Sequence, residues 1–312
     1  MYYAVTHLTV YEYSEPITDS VMEIRKQPRN GDHQRCLRFE LDVSPSVRIA
    51  KYRDYLGNTV HHFDIPAPHT KLAVKSNAVV ELTEPPTLPD ALHSSAWDSL
   101  DAISDDYEYL DMLMPGKYTH MTDLLKQFAD EIDFGRTADP LTVMRHLNGA
   151  IYHAFEYRQN VTRVDSPIDE ALEIRRGVCQ DFTHIMLTLA RSIGIPARYV
   201  SGYLFHRSEQ DRSDVDASHA WVEAWFPELG WVGFDPTNNI MARERHIRVC
   251  VATDYAEASP SRGVFKGTAE TTLGVQVEVT ELEAVPREET PIAPEIVLPT
   301  YTYYQQQQQQ QQ

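Results

Sequence analysis

Over the first eighty residues apolar positions alternate with polar ones in short runs such as Leu37, Phe39, Leu41 and Val43, and turn signals at Asn30-Gly31 and Gly57-Asn58 break them. A period of two with such breaks predicts an antiparallel β domain over 1–83. From Glu84 to Gly116 the pattern changes. This stretch opens on Pro85-Pro86 and carries eight acidic residues with no Lys or Arg, while Leu100, Ile103, Tyr107 and Leu110 keep a helical spacing. It reads as an acidic linker with a surface helix, over 84–118.

A helical period then takes over. One helix is expected from His120 to Ile132, and a second is capped by Asp139, with Pro140 in its first turn and Val143, Leu147 and Ile151 on its face. Ser166-Pro167 repeats the start signal ahead of a short helix ending near Arg175. From Gln180 a further helix places Phe182, Ile185, Leu189 and Ile193 on one side, until Gly194 and Pro196 stop it. Beyond it the period returns to two, through Tyr199, Ser201, Tyr203 and Phe205, then His219 to Phe226, then Trp231 to Asp235. These segments make an α+β core over 119–255, helices packed on an antiparallel sheet. Val275, Val277 and Val279 mark one more strand within 256–283, free to join either sheet. The tail, 284–312, is proline-rich, closes on eight glutamines and reads as disordered.

Composition narrows the functional classes. With 42% hydrophobic and 24% charged residues the chain is of ordinary globular type, but 46 acidic residues against 28 basic ones leave a net charge of −18. That charge repels phosphates and anionic headgroups, so neither nucleic acid nor a membrane is an expected partner. The first residues lack a basic segment followed by an apolar one, and no apolar window is long enough to span a bilayer, which predicts a cytoplasmic protein. Cys36, Cys179 and Cys250 are odd in number and widely spaced, so free thiols are expected. No phosphate-binding loop or zinc-ligand spacing occurs, and His61-His62 has no further ligands nearby. No cofactor or metal is expected.

Cys179 stands at the start of a predicted helix, where unpaired N–H groups and the helix dipole favour a thiolate, and Arg175 and Arg176 just upstream would add positive potential if they point that way. A cysteine opening an apolar helix is more often packing than chemistry. Two further residues change that balance. In Ser218-His219-Ala220-Trp221-Val222-Glu223-Ala224-Trp225, alternation puts His219, Trp221, Glu223 and Trp225 on one face of a strand that returns through Pro227 to Gly230. If the turn pairs Trp225 with Trp231, His219 becomes the diagonal neighbour of Asp235, which could then orient the imidazole toward a thiol. A slip of one residue would separate them. Asp181, His184 and Asp216 read as capping, surface or loop residues, and Cys36 and Cys250 as buried bystanders.

Four stretches, Arg176-Gly177-Val178-Cys179-Gln180-Asp181-Phe182, Gly194 to Tyr203, Ser218 to Glu223, and Gly233-Phe234-Asp235-Pro236-Thr237-Asn238, closely resemble the bacterial transglutaminase-like superfamily. Tyr13-Ser14-Glu15-Pro16 and Tyr52 to Asn58 resemble the β domain that precedes such cores. The resemblance covers about residues 1–282 and implies a papain-like core with Cys179, His219 and Asp235 as its catalytic triad. It implies acyl transfer through a thioester, as a cysteine peptidase or amidase acting on peptide, isopeptide or amide bonds of a peptide or protein substrate. The alternatives are a true transglutaminase that gives the acyl group to an amine, and a binding scaffold without activity. The backbone N–H of Cys179 is the natural first oxyanion donor, with Gln180 or Tyr157 as candidates for the second. Some relatives are associated with peptide-forming ATP-grasp enzymes, which makes such an enzyme a conceivable partner.

Overall fold

A computed structural model describes residues 1–93, 95–207 and 211–285. The N-terminal part forms β1 (Tyr2–Ile24), β2 (Gln34–Ser44), β3 (Ala50–Arg53), β4 (Thr59–Ile65) and β5 (His69–Leu82). β1 is not a short run but a strand of 23 residues. Its first half pairs with β5 and its second half with β4, and the register shifts between Glu12 and Ile17. Pro16 lies inside that shift and has no N–H to offer a ladder, so the strand bends there and serves two directions of sheet. The result is a half-barrel of antiparallel strands.

The acidic stretch read as a linker with one surface helix carries two short ones, α1 (Ala96–Ala102) and α2 (Tyr107–Leu113). Leu100 and Met112 are the buried anchors, whereas Tyr107 and Leu110 face solvent. The apparent single helical face is broken because Asp106 starts a new helix, its carboxylate accepting from Glu108 N.

Four helices follow: α3 (Asp123–Glu131), α4 (Pro140–Ala154), α5 (Ile168–Ile174) and α6 (Cys179–Ser192), with the two-residue strands β6 (Glu156–Tyr157) and β7 (Arg176–Gly177) paired in parallel. Asp139 caps α4 through Leu141 N and Thr142 N, with Pro140 in the first turn. α6 is buried on all sides, from Cys179 to Arg191, which marks it as the central helix. It packs on a sheet ordered β11 (Ile240–Ala242), β10 (Gly230–Asp235), β9 (His219–Phe226), β8 (Ala197–Leu204) and β12 (His246–Ala252), all antiparallel.

After α7 (Tyr255–Ala258) the chain turns back, and β13 (Ser261–Lys266) and β14 (Thr271–Leu282) both pair with β1. The last strand thus joins the N-terminal sheet, where every residue from Tyr2 to Tyr13 finds a partner on it. The expected disordered tail lies outside the described residues from 286 onward. Among the described residues no helix is long and apolar enough to cross a membrane.

Candidate active site

β7 delivers the chain to α6. Arg158 N donates to Gly177 O at 2.8 Å, which ties the approach to the strand beside it. A side chain at Gly177 would collide with Asp181, its Cβ lying 2.6 Å from Oδ2. The glycine lets Asp181 fold back onto the helix start, where Oδ2 accepts from Val178 N at 2.8 Å and from Thr162 Oγ1 at 2.7 Å. Asp181 is therefore a cap, as read, but a buried one, and burial pushes its carboxyl up to about 6. Cys179 is the first residue of α6, so its N–H and that of Gln180 have no acceptor within the helix. Negative charge is favoured there.

The two arginines upstream are engaged by other partners. Arg175 pairs with Glu131 and lies over Phe128 and Phe155, and Arg176 pairs with Glu156 at 2.7 Å.

The β9–β10 hairpin has the register on which the sequence reading depends: Trp231 faces Trp225 and Phe234 faces Val222. Asp235 then falls across from Trp221 and diagonally from His219. His219 Nε2 lies 2.8 Å from Asp235 Oδ2, with both side chains fully buried. Burial acts to strip the proton from His219; Asp235 and then Cys179 outweigh it and hold the imidazole up to about 10. For Asp235 burial opposes the charge, and His219 followed by His246 outweighs it, keeping the carboxyl well below the usual range. With Nε2 engaged by Asp235, the nitrogen left for the sulfur is Nδ1, which is buried and has no conventional hydrogen-bond partner. Cys179 and His219 thus line one cleft, and Asp235 lies against the far nitrogen of His219.

Above them opens a cleft of about 70 Å³, lined among others by Tyr157, Val164, Cys179, Tyr199, His219 and Tyr255. Of the two expected oxyanion donors, the Gln180 amide is engaged elsewhere, donating to Val164 O at 3.0 Å, which leaves its backbone N–H. Tyr157 lines the cleft, with Asp214 N approaching its hydroxyl at 3.4 Å. Burial first, then the charge of Cys179, raise its pKa far enough that the phenol keeps its proton.

Several residues were misplaced or overlooked from sequence. His184 is no surface residue: it stacks on Tyr118 and lies tilted against Tyr199, accepts from Tyr255 N at 3.3 Å, and is driven down to about 3 by burial. Asn238 donates to Asp235 Oδ2 at 2.8 Å from its side chain, while Thr237 N and Asn238 N reach Oδ1 at 3.0 and 3.2 Å. Its signal was present, since an Asx residue followed by polar residues builds such a turn. His246 Nε2 lies 3.1 Å from the same Oδ2, and nothing local to residue 246 announced it.

His219, Asp235 and His246 are the group of three among the described residues whose donor atoms, all within 4.8 Å of one another, could hold a metal ion. Their N···O separations of 2.8 and 3.1 Å are shorter than the roughly 3.3 Å between two ligands of a tetrahedral zinc. They fit shared protons better than a shared cation.

Comparison with known proteins matches residues 3–81 to the bacterial transglutaminase-like N-terminal region and residues 126–236 to the transglutaminase-like superfamily. An uncharacterized protein of Mycobacterium leprae is 35% identical over 280 residues, covering 89% of this chain and 98% of that one. A protein-glutamine gamma-glutamyltransferase of Pseudomonas aeruginosa is 32% identical over 99 residues, 28% of this chain and 14% of that one. Among solved structures, a protein of Cytophaga hutchinsonii described as a candidate cysteine protease superposes with a TM-score of 0.70 at 20% identity, covering 93% of this chain and 94% of that one. This last is a likeness of fold.

Proposed function

This chain belongs to the transglutaminase-like superfamily, with the N-terminal region of its bacterial members, and on that premise we propose that it is an enzyme of thiol-dependent acyl transfer, a cysteine peptidase or amidase. The observation that carries the proposal is the buried His219–Asp235 pair at 2.8 Å on the cleft that Cys179 also lines, with Asp235 and then Cys179 raising the imidazole's pKa. A thiolate beside an imidazolium is both nucleophile and general acid in waiting.

In the proposed cycle the Cys179 sulfur attacks an amide carbonyl, and the negative oxygen of the tetrahedral intermediate is met by the backbone N–H of Cys179, with the Tyr157 hydroxyl or the Gln180 N–H as second donor. As the C–N bond breaks, His219 gives its Nδ1 proton to the leaving amine. A thioester and a neutral imidazole remain. His219 then takes a proton from water, the resulting hydroxide adds to the thioester carbonyl, and the thiolate departs beside a restored imidazolium. Asp235 keeps the ring oriented throughout. We place this reaction in the cytoplasm, on a peptide or protein substrate whose scissile bond reaches the cleft that Cys179 and His219 line.

A second reading has the thioester resolved by an amine, and the Pseudomonas aeruginosa relative, by its name, favours it. Product analysis separates the two: ammonia release with amine incorporation supports transfer, and cleavage or deamidation supports hydrolysis. The proposal as a whole is tested by a small thiol-directed electrophile. Burial pushes the Cys36 thiol to about 11 and the Cys250 thiol to about 12, so near neutral pH Cys179 should label first, and His219→Ala should abolish the preference. Equal labelling of all three thiols would leave only a scaffold.

A further inference from the structure

His246 belongs to none of the sequence motifs, yet it meets the Asp235–His219 pair. It opens β12, which lies beyond β8 from β9 and β10 in the sheet. Its Nε2 nonetheless lies 3.1 Å from Asp235 Oδ2, the oxygen that also takes His219 Nε2 at 2.8 Å. Gly202 makes this reach possible. On β8 it pairs with His219 on one side and Arg248 on the other, and a Cβ there would stand 2.1 Å from Ile247 O and 2.7 Å from the Trp221 ring. The space a side chain would fill is taken by β12 and the indole. Trp221 in turn meets His246 edge-on at 5.1 Å and His219 at 6.0 Å, so that both imidazoles rest on one ring.

We infer that His246 is a positioning residue of the acyl-transfer site: as a neutral imidazole it donates Nε2–H to Asp235 Oδ2, fixes the carboxylate, and dilutes the charge that His219 feels. The inference rests on the acyl-transfer reading and adds a residue to it. Charged and titratable groups around the pair support the assignment of protons. Burial pulls His246 down and Asp235 pulls it up, while His219 on β9 and Arg245 just before β12 oppose a second cation, leaving it below the usual imidazole range. Cys179 on α6 acts on His219, and His219 in turn lowers His206. Arg245 is itself paired with Asp211 at 2.8 Å.

The chemical consequence concerns how firmly His219 holds its proton. A carboxylate oxygen with one donor fewer carries more charge toward the remaining donor, and the imidazolium is stabilised. An imidazolium held too firmly is a poor acid for the leaving amine. His246 thus sets the strength of the pair through Asp235 without touching the substrate.

The test compares His246→Ala with His246→Gln, whose amide N–H can stand near the lost Nε2–H. Two readouts are taken on the full chain: the pH profile of Cys179 alkylation by iodoacetamide, with Cys36 and Cys250 as internal references, and kcat and KM on the best amide substrate. In the alanine variant the upper ionisation, where His219 loses its proton, should move to higher pH. kcat should fall on the order of tenfold at unchanged KM, the effect of losing one hydrogen bond to a charged group. Glutamine should return both toward the parent. A folded alanine variant with unchanged profile and kcat would overturn the inference, as would glutamine no better than alanine. Should alanine fail to fold, glutamine is set against His246→Asn, whose amide is too short to reach. Parent-like behaviour of glutamine alone supports the role, and equal behaviour of the two overturns it. Parent Cys179 labelling no faster than Cys36 would overturn the acyl-transfer reading and this inference with it. Selective labelling indifferent to His246 would overturn this inference alone.

Discussion

Asp235 accepts five hydrogen bonds, from Thr237 N, Asn238 N, Asn238 Nδ2, His219 Nε2 and His246 Nε2, and it is the residue on which the site turns. Asp235→Asn keeps the shape but loses the charge, and an amide N–H aimed at His219 favours the wrong tautomer. Turnover should fall on the order of a thousandfold or more, read as kcat/KM. Near-parental turnover would show that Asp235 is not the orienting group. The same variant should change the alkaline side of the stability profile. Because His219 is raised to about 10 from 6.5, the folded protein keeps a proton that the unfolded chain releases. Its contribution is complete below about 6.5 and is lost as pH rises toward 10. Thermal unfolding across that window should fall less steeply in Asp235→Asn than in the parent.

At the scale of elements, the hairpin register and the crossing at Gly202 decide whether these residues meet. The pairing of Trp225 with Trp231 was a condition the sequence reading left open, and a one-residue slip would have put Asp235 on the face opposite to His219. The placement of β12 could not. Gly202→Ala puts a methyl group against the carbonyl of Ile247, a backbone atom that cannot swing aside. We expect a loss of about 2 kcal/mol in denaturant unfolding, typical of overpacking, with His246 moved off Asp235. An unchanged midpoint would mean that β8 and β12 separate freely. In the linker, four apolar residues at helical spacing suggested one face, but the Asp106 cap divided it. A local cap overrides a periodicity that tertiary packing does not support.

The two large sheets are held together by buried polar contacts that no short window of sequence contains. Asn58 makes some of these. Its side chain donates to Val251 O at 2.8 Å, accepts from Val251 N at 2.9 Å, and donates to Asp54 Oδ2 at 2.8 Å. Asn58→Ala leaves buried backbone groups of β12 without partners and should cost about 3 kcal/mol in equilibrium unfolding. A change below half that would mean water replaces the amide. Val277 N donates to Asp216 O at 3.0 Å, so β14 also steadies the loop that leads into His219. Acid should unfold the protein partly through its buried neutral histidines. His184 is lowered to about 3 and His61 to about 4, in both cases chiefly by burial. Their stabilisation is complete above about 6.5 and falls away as pH drops toward those values, because the unfolded chain binds the protons first. In His184→Gln the melting temperature should depend less on pH between 6.5 and 4; an identical slope would place the acid sensitivity elsewhere.

Alternation, helical period and capping signals by themselves determined the α+β class, the helix that opens at Cys179 and the strands that carry His219 and Asp235, because these depend on neighbours within a few residues. The hairpin that joins the last two is equally local. Only the tertiary structure decided that β14 closes onto β1, that Arg175 and Arg176 turn to Glu131 and Glu156, and that His184 is buried. It alone brought His246 to Asp235. Each of these depends on strands or side chains distant in the chain meeting in space, and a residue's periodicity describes the face it lies on, not the partner that covers it.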